Sequence, residues 1–263
     1  MLKIGMIGHG AIAQYVARAL PAHNAQLAVA IVRPGREDAA RAALGSDVEI
    51  TTAVTNAAAD FIVDCAGHEA LRQHGEGVLA AGIPLATVSL GALADADLYQ
   101  QLKAAAQKGG VALHLCSGAI GALDALSAAR AGHLDQVSYV GRKPPHGWKG
   151  SRAQDMIDLD CPGPIPVTHF EGSARDAALL YPKNANVAAA VALAGLGFDA
   201  TRVALISDPN AMANTHEIRA MGDFGEFVFT IAGQTLPGNP RTSALAAMSV
   251  LSTIAAHCAA IRF

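Results

Sequence analysis

Short apolar runs at positions 2–8, 27–33, 60–66, 84–89 and 111–116 alternate along the chain with Ala-rich, helix-prone stretches such as 11–20 and 95–108. This alternation predicts a parallel sheet with helices on both faces. After Gly118 the rhythm changes. A short helix is expected over 122–131 and a strand over 137–141, and then 142–166 is rich in Pro, Gly and charge. A loop that long in a compact domain is uncommon unless it is functional or hides short helices, so it reads as a substrate lid or as a surface loop. Helices follow over 174–180 and 186–196, then strand-like runs at 202–207, 216–221 and 226–232. The last two flank Gly222-Asp223-Phe224-Gly225, where glycines accept the positive φ of a hairpin turn. Pro237-Gly238-Asn239-Pro240 makes another turn, and a final helix is expected from about Thr242, capped by its hydroxyl or that of Ser243. This second half reads as α+β.

The chain has 263 residues, about two average domains, and at 52% hydrophobic and 16% charged it has ample material for a core. Its net charge of -3 offers no general attraction for nucleic acid or an anionic membrane, so any anion site must be local. Four cysteines lie far apart with no C-x-x-C, which indicates neither a zinc cluster nor a disulfide framework and suits a reducing cytoplasm. Apolar sequence runs directly from Met1 into a Gly-rich turn, leaving no room for a signal peptide. Positions 242–261 carry no Asp, Glu, Lys or Arg, but six hydroxyl or imidazole side chains among the alanines make them a packed terminal helix rather than a bilayer span.

Gly8-His9-Gly10-Ala11-Ile12-Ala13 fits G-x-G-x-x-G/A between a strand and a helix. Gly8 permits the tight turn, Gly10 lets the backbone approach a pyrophosphate, and small Ala13 lets helix and strand pack closely. The N–H groups of Ala11 and Ile12 at the helix start then face the phosphates. The second strand ends without the acidic residue that usually binds the ribose hydroxyls of NAD. Instead it runs into Arg33 and Arg36, which suit a 2′-phosphate or are solvated loop residues. Cys65 and Ala66, and Ser89 and Leu90, lie at the carboxyl ends of later strands, where nucleotides bind in open α/β sheets.

In the second half Asn184 or Asn186 could cap a helix, while Asn214 and His216 would share one face of a strand. A histidine near its ordinary pKa can accept and return a proton at neutral pH, which makes His216 the candidate acid/base. Arg142, Lys143, Lys149, Arg175, Lys183 and Arg241 are cations available to an anionic substrate. No metal-binding motif occurs, and Ser117 lacks the G-x-S-x-G setting of a hydrolase nucleophile.

The chain resembles the L-aspartate dehydrogenase family over nearly its whole length. The resemblance rests on residues 8–13, Cys116-Ser117-Gly118-Ala119-Ile120-Gly121, Gly141-Arg142-Lys143-Pro144-Pro145, residues 181–188, Asn214-Thr215-His216-Glu217-Ile218 and residues 236–243. It implies an α/β fold with a Rossmann dinucleotide-binding domain over 1–118 and an α+β substrate and dimerisation domain with a mixed sheet over 119–241. A helix over 242–263 then returns to the first domain. It implies hydride transfer from L-aspartate to NAD or NADP by a cytoplasmic homodimer, giving iminoaspartate that hydrolyses to oxaloacetate and ammonia or feeds NAD biosynthesis. The family's active-site histidine falls on His216, and its nicotinamide-side contacts on Ser117, Gly118, Ala119 and Asn186. Two alternatives stand beside it: a dihydrodipicolinate-reductase-like enzyme, whose paired histidines are absent here, and a non-catalytic dinucleotide sensor.

Overall fold

Strand β1 (Leu2–Ile7) pairs in parallel with β2 (Ala25–Ile31) on one side and, on the other, with Phe61–Asp64 in a computed structural model that describes residues 1–54, 58–237 and 239–261. Adding β3 (Glu49–Thr51), β4 (Phe61–Asp64), β5 (Leu85–Thr87) and β6 (Leu113–Leu115) gives a six-stranded sheet of order β3-β2-β1-β4-β5-β6. The connections carry α1 (Ala11–Ala19), α2 (Glu37–Leu44), α3 (His68–Ala80) and α4 (Ala96–Gly109). The order reverses direction beside β1, so the turns after β1 and β4 face each other across a crevice at the strands' carboxyl ends.

The second sheet has order β11-β10-β7-β9-β8. After α5 (Leu123–Ala129), β7 (Leu134–Lys143) lies at its centre, antiparallel to β10 (Asn214–Gly222) and parallel to β9 (Arg202–Ser207). Strand β8 (Val167–Ser173) and β11 (Gly225–Gly233) form its edges. Helices α6 (Ala174–Leu180) and α7 (Asn186–Ala194) join β8 to β9. A parallel sheet followed by a mixed one agrees with the expected fold class.

By internal contacts the chain divides into two units, Met1–Gly118 with Ala246–Phe263, and Ala119–Leu245. The first unit uses residues from both ends of the sequence. Helix α8 (Ala244–Cys258) places Val250, Leu251 and Ile254 in one apolar cluster with Ile4, Met6, Val16, Phe61 and Val63. No helix among the described residues is long and apolar enough to cross a membrane.

Several local expectations change. Strand β7 is longer than expected, and β3 and β8 were not foreseen, because three residues or a mostly exposed edge give little periodicity. The 142–166 segment contains tight helical turns at Pro145–Trp148 and Arg152–Asp155. Helix α8 starts at Ala244 rather than Thr242, because Asn239–Ser243 forms β13 against β12 (Thr235–Leu236). Gly238 of that turn lies outside the described residues. The Ser243 hydroxyl is buried with no hydrogen-bond partner, so it does not cap the helix.

Two glycines test the helix packing. A Cβ on Gly109 would stand 1.9 Å from the Leu79 carbonyl oxygen at the contact of α3 with α4, whereas one on exposed Gly77 would meet nothing within 4 Å. Gly109→Ala is expected to destabilise by roughly 1–3 kcal/mol. Gly77→Ala, inside a helix, is expected to stabilise by about 0.5–1 kcal/mol. Denaturant melts of both variants check the pair.

Candidate active site

In the first unit, a cleft of about 340 Å³ is lined by Gly8, Gly10, Arg33, Arg36, Cys65 and Ala66, with Glu69 and His74 among its other walls. Five of the residues singled out from sequence therefore meet Arg36 at one place. Gly8 has φ +97, and a Cβ on it would lie 2.9 Å from that of Ala66, so only glycine lets the turns after β1 and β4 come together. A Cβ on Gly10 would meet no protein atom within 4 Å and would project into space the cleft leaves open. Gly10 starts α1 with no side-chain cap and no acid in the first turn, so the N–H groups of Ala11 and Ile12 remain for an anion. Arg33 and Arg36 form no ion pair among the described residues. The donor set fits a dinucleotide.

The far side of this cleft rests on Asp64, which is fully buried. One carboxylate oxygen accepts from the backbone N–H groups of Ala66 (2.9 Å) and Gly67 (3.3 Å). The other accepts from the hydroxyls of Thr87 (2.8 Å) and Ser89 (2.6 Å). Burial raises the Asp64 pKa and these four bonds oppose the rise. Ser89 and Leu90 are both buried, and the Ser89 hydroxyl is committed to Asp64, so Ser89 has only its backbone to offer a cofactor. The Cys65 thiol is pushed well up, by burial first and then by the Asp64 charge. Gly118 N–H donates to the Ser249 hydroxyl of α8 at 3.1 Å, which fixes the turn of Ser117 and Gly118 after β6.

Ala119, Asn186 and His216 belong to the second unit. Neither asparagine of the 181–186 segment caps α7: the N-cap is Ala185, Asn186 is the first helical residue, and Asn184 accepts instead from the Lys143 ammonium at 2.9 Å. His216 is buried on β10 directly opposite Gly141 of β7. Its Nδ1 lies 2.7 Å from the Tyr139 hydroxyl. That contact requires Gly141, because a Cβ there would stand 2.7 Å from the same hydroxyl. Tyr139, Gly141 and Lys143 alternate along β7, so all three face the side that carries His216.

Lys143 Nζ also lies 4.7 Å from the centre of the Trp148 ring, which is fully buried and donates its Nε1–H to the Ile206 carbonyl at 3.0 Å. His169, in the irregular part of β8, packs edge-on against Trp148 with ring centroids 4.5 Å apart. Its Nδ1 is 3.1 Å from the Tyr181 hydroxyl. Tyr139, His169 and Trp148 were not named from sequence as site residues; the pattern Tyr-x-Gly on one strand face was the available signal for the first.

The titration of this cluster departs from expectation. His216 does not stay near its ordinary value: burial, and then the Lys143 charge, push it down to about 4. His169 is pushed to about 4 by the same two causes, and burial lowers Lys143 to about 8. Both imidazoles are therefore neutral at pH 7.

Since both histidines hold fewer protons folded than unfolded, their contribution to stability is full above pH 6.5 and is lost as pH drops from about 6.5 to 4. The expected slope is about 1.4 kcal/mol per pH unit for each histidine. Denaturant melts across this range should show it, and His169→Phe should remove one share.

Residues 124–257 match the family described as aspartate dehydrogenase, C-terminal, and residues 8–115 match the homoserine dehydrogenase NAD binding domain. The L-aspartate dehydrogenase of Ruegeria pomeroyi is 58% identical over 99% of this chain and 94% of its own length. That of Cupriavidus necator is 46% identical over 99% of this chain and all of its own. Among solved structures, the aspartate dehydrogenase of Thermotoga maritima shares the fold with a TM-score of 0.78 at 22% identity, covering 100% of this chain and 99% of that one. With a dinucleotide cleft in its first unit and relatives this similar along its whole length, the chain belongs to the aspartate dehydrogenase family of NAD(P)-dependent oxidoreductases.

Proposed function

We propose that the chain oxidises L-aspartate to iminoaspartate with NADP or NAD, and that His216 is its acid/base. The observation that carries this reading is the buried His216, held by Tyr139 beside Lys143 in a chain 58% identical to a protein named L-aspartate dehydrogenase. Bound NAD(P)⁺ supplies the hydride acceptor. Cα–H leaves as hydride only when the attached nitrogen has a free electron pair, so the substrate ammonium must first lose a proton. His216 is neutral and can take it at Nε2 while Nδ1 keeps its hydrogen and donates it to Tyr139. Burial raises the Tyr139 pKa, so the phenol stays protonated throughout.

A base held at about 4 is weak in the free protein. The two carboxylates of the substrate, brought beside the imidazole, raise its proton affinity when it is needed. Once that proton has passed to solvent, the same nitrogen can accept one from the water that attacks the imine carbon and return it to the departing amine, giving oxaloacetate and ammonia. Imine that leaves intact would feed NAD biosynthesis. Four unpaired thiols suit the cytoplasm, and a homodimer is carried by the resemblance alone. The match over 124–257 favours this reading over a dihydrodipicolinate-reductase-like enzyme.

Purified protein mixed with NADP⁺ and L-aspartate should develop the absorbance of reduced nicotinamide, with little signal from L-glutamate, whose extra methylene displaces one carboxylate. A sensor would bind cofactor and show no turnover. His216→Ala should lose roughly 10²–10⁴ in kcat while cofactor affinity stays intact. Unchanged turnover would make His216 a packing residue.

Cofactor preference follows from Arg33 and Arg36 at the cleft and from the missing acid after β2. NADP⁺ should serve at least as well as NAD⁺. Arg33→Ala should raise the KM for NADP⁺ roughly tenfold or more with little change for NAD⁺. Equal shifts for both cofactors would show that Arg33 only meets solvent.

A further inference from the structure

Among the described residues, the second unit holds a half-buried cation without an acid. Of the six candidate cations, Arg142 is paired with Asp208 at 2.9 Å, Arg175 is held by Asp199 through two bonds, and Lys149 pairs with Asp160. Lys183 is exposed, and the side chain of Arg241 lies outside the described residues. Lys143 differs. Its ammonium has Asn184 and the Trp148 face as neighbours and no carboxylate partner among the described residues. Asp208 comes near through its backbone N–H, which donates to the Lys143 carbonyl, but its carboxylate holds Arg142 and the Asn210 N–H.

The other groups nearby are neutral and polar. A Cβ on Gly147 would lie 3.3 Å from the Lys143 Cβ and 3.6 Å from the Asn214 side-chain oxygen, so the side chains of Lys143 and Asn214 both flank Gly147. His169 Nε2 is buried with no hydrogen-bond partner. An ammonium, two asparagines, two imidazoles and an indole without an acid make a site that lacks one anion.

We infer that Lys143 binds one carboxylate of the substrate, a short dicarboxylic amino acid, on the sheet face that presents His216. This rests on the reading of L-aspartate as substrate. An arriving carboxylate keeps the Lys143 ammonium charged where burial alone lowers it to about 8. It also offsets the Lys143 charge at His216, so that occupation of the carboxylate site strengthens the base. The titratable groups facing Lys143 are His216 from β10, His169 from β8 and Tyr139 from β7; Arg142 points to the opposite face of β7.

The test uses Trp148, the single tryptophan of the chain, as a reporter against the lysine. With NADP⁺ present throughout, succinate, a dicarboxylate with no amine to oxidise, is titrated against the protein while tryptophan emission is read. Wild type should respond saturably. Lys143→Met should weaken succinate binding and raise the KM for L-aspartate roughly 10- to 100-fold. Lys143→Arg should recover part of both, and Lys149→Met should change neither. If Lys143→Met does not fold, Lys143→Gln, which keeps a polar end near Asn184, is measured instead. Succinate affinity and KM within twofold of wild type in either uncharged variant overturn the inference while the proposed activity stands. A wild type that neither oxidises L-aspartate nor binds succinate overturns the substrate reading, and the role of Lys143 with it.

Discussion

An ammonium drawn out of water needs either a carboxylate or neutral polar groups that tolerate its charge. Around Lys143 the second unit supplies the latter, and much of its local architecture follows. Asn184 is turned toward the lysine instead of capping α7. Trp148, placed by a tight turn just after β7, covers the ammonium and is pinned by its bond to Ile206. His169 and His216 are kept neutral partly by that charge, and each has a tyrosine hydroxyl at Nδ1. Tyr139 reaches His216 only because position 141 has no side chain.

The first unit solves the opposite problem with a different device. Asp64 is a carboxylate buried at the end of a strand, and four hydrogen bonds stand in for water. Two of them fix the backbone of the turn after β4, and two tie that turn to β5 and the residues after it. The turn after β1 closes on the same place through Gly8 against Ala66. Cleft geometry is thus set by buried polar bonds behind its wall, while Arg33 and Arg36 have no ion pair among the described residues and the first N–H groups of α1 have no side-chain cap.

The alternation of apolar runs and helical stretches was enough to read the parallel sheet, and the glycine turn enough to read the cleft, since both are contiguous in sequence. The edges were harder to see. Strand β8 buries one histidine and leaves most other positions open, a pattern that resembles loop. The cluster around His216 draws on β7, β8, β10, the 145–148 turn and the segment before α7, so no sequence window contains it. His216 could be named because Asn-Thr-His-Glu is local. Its depressed pKa could not, because burial and the Lys143 charge exist only after folding.

Helix α8 gives the chain an order of events. The strands of the first unit leave the ribosome first, yet the cluster of Ile4, Val16 and Phe61 is completed by Val250, Leu251 and Ile254, which are made after the entire second unit. During synthesis an apolar face on the early sheet must wait uncovered for about 130 residues. The second unit, contiguous in sequence, can finish while the first is still waiting. Folding of the nucleotide-binding unit is thereby linked to synthesis of α8, and a chain that stops before it would present that uncovered face to chaperones and proteases.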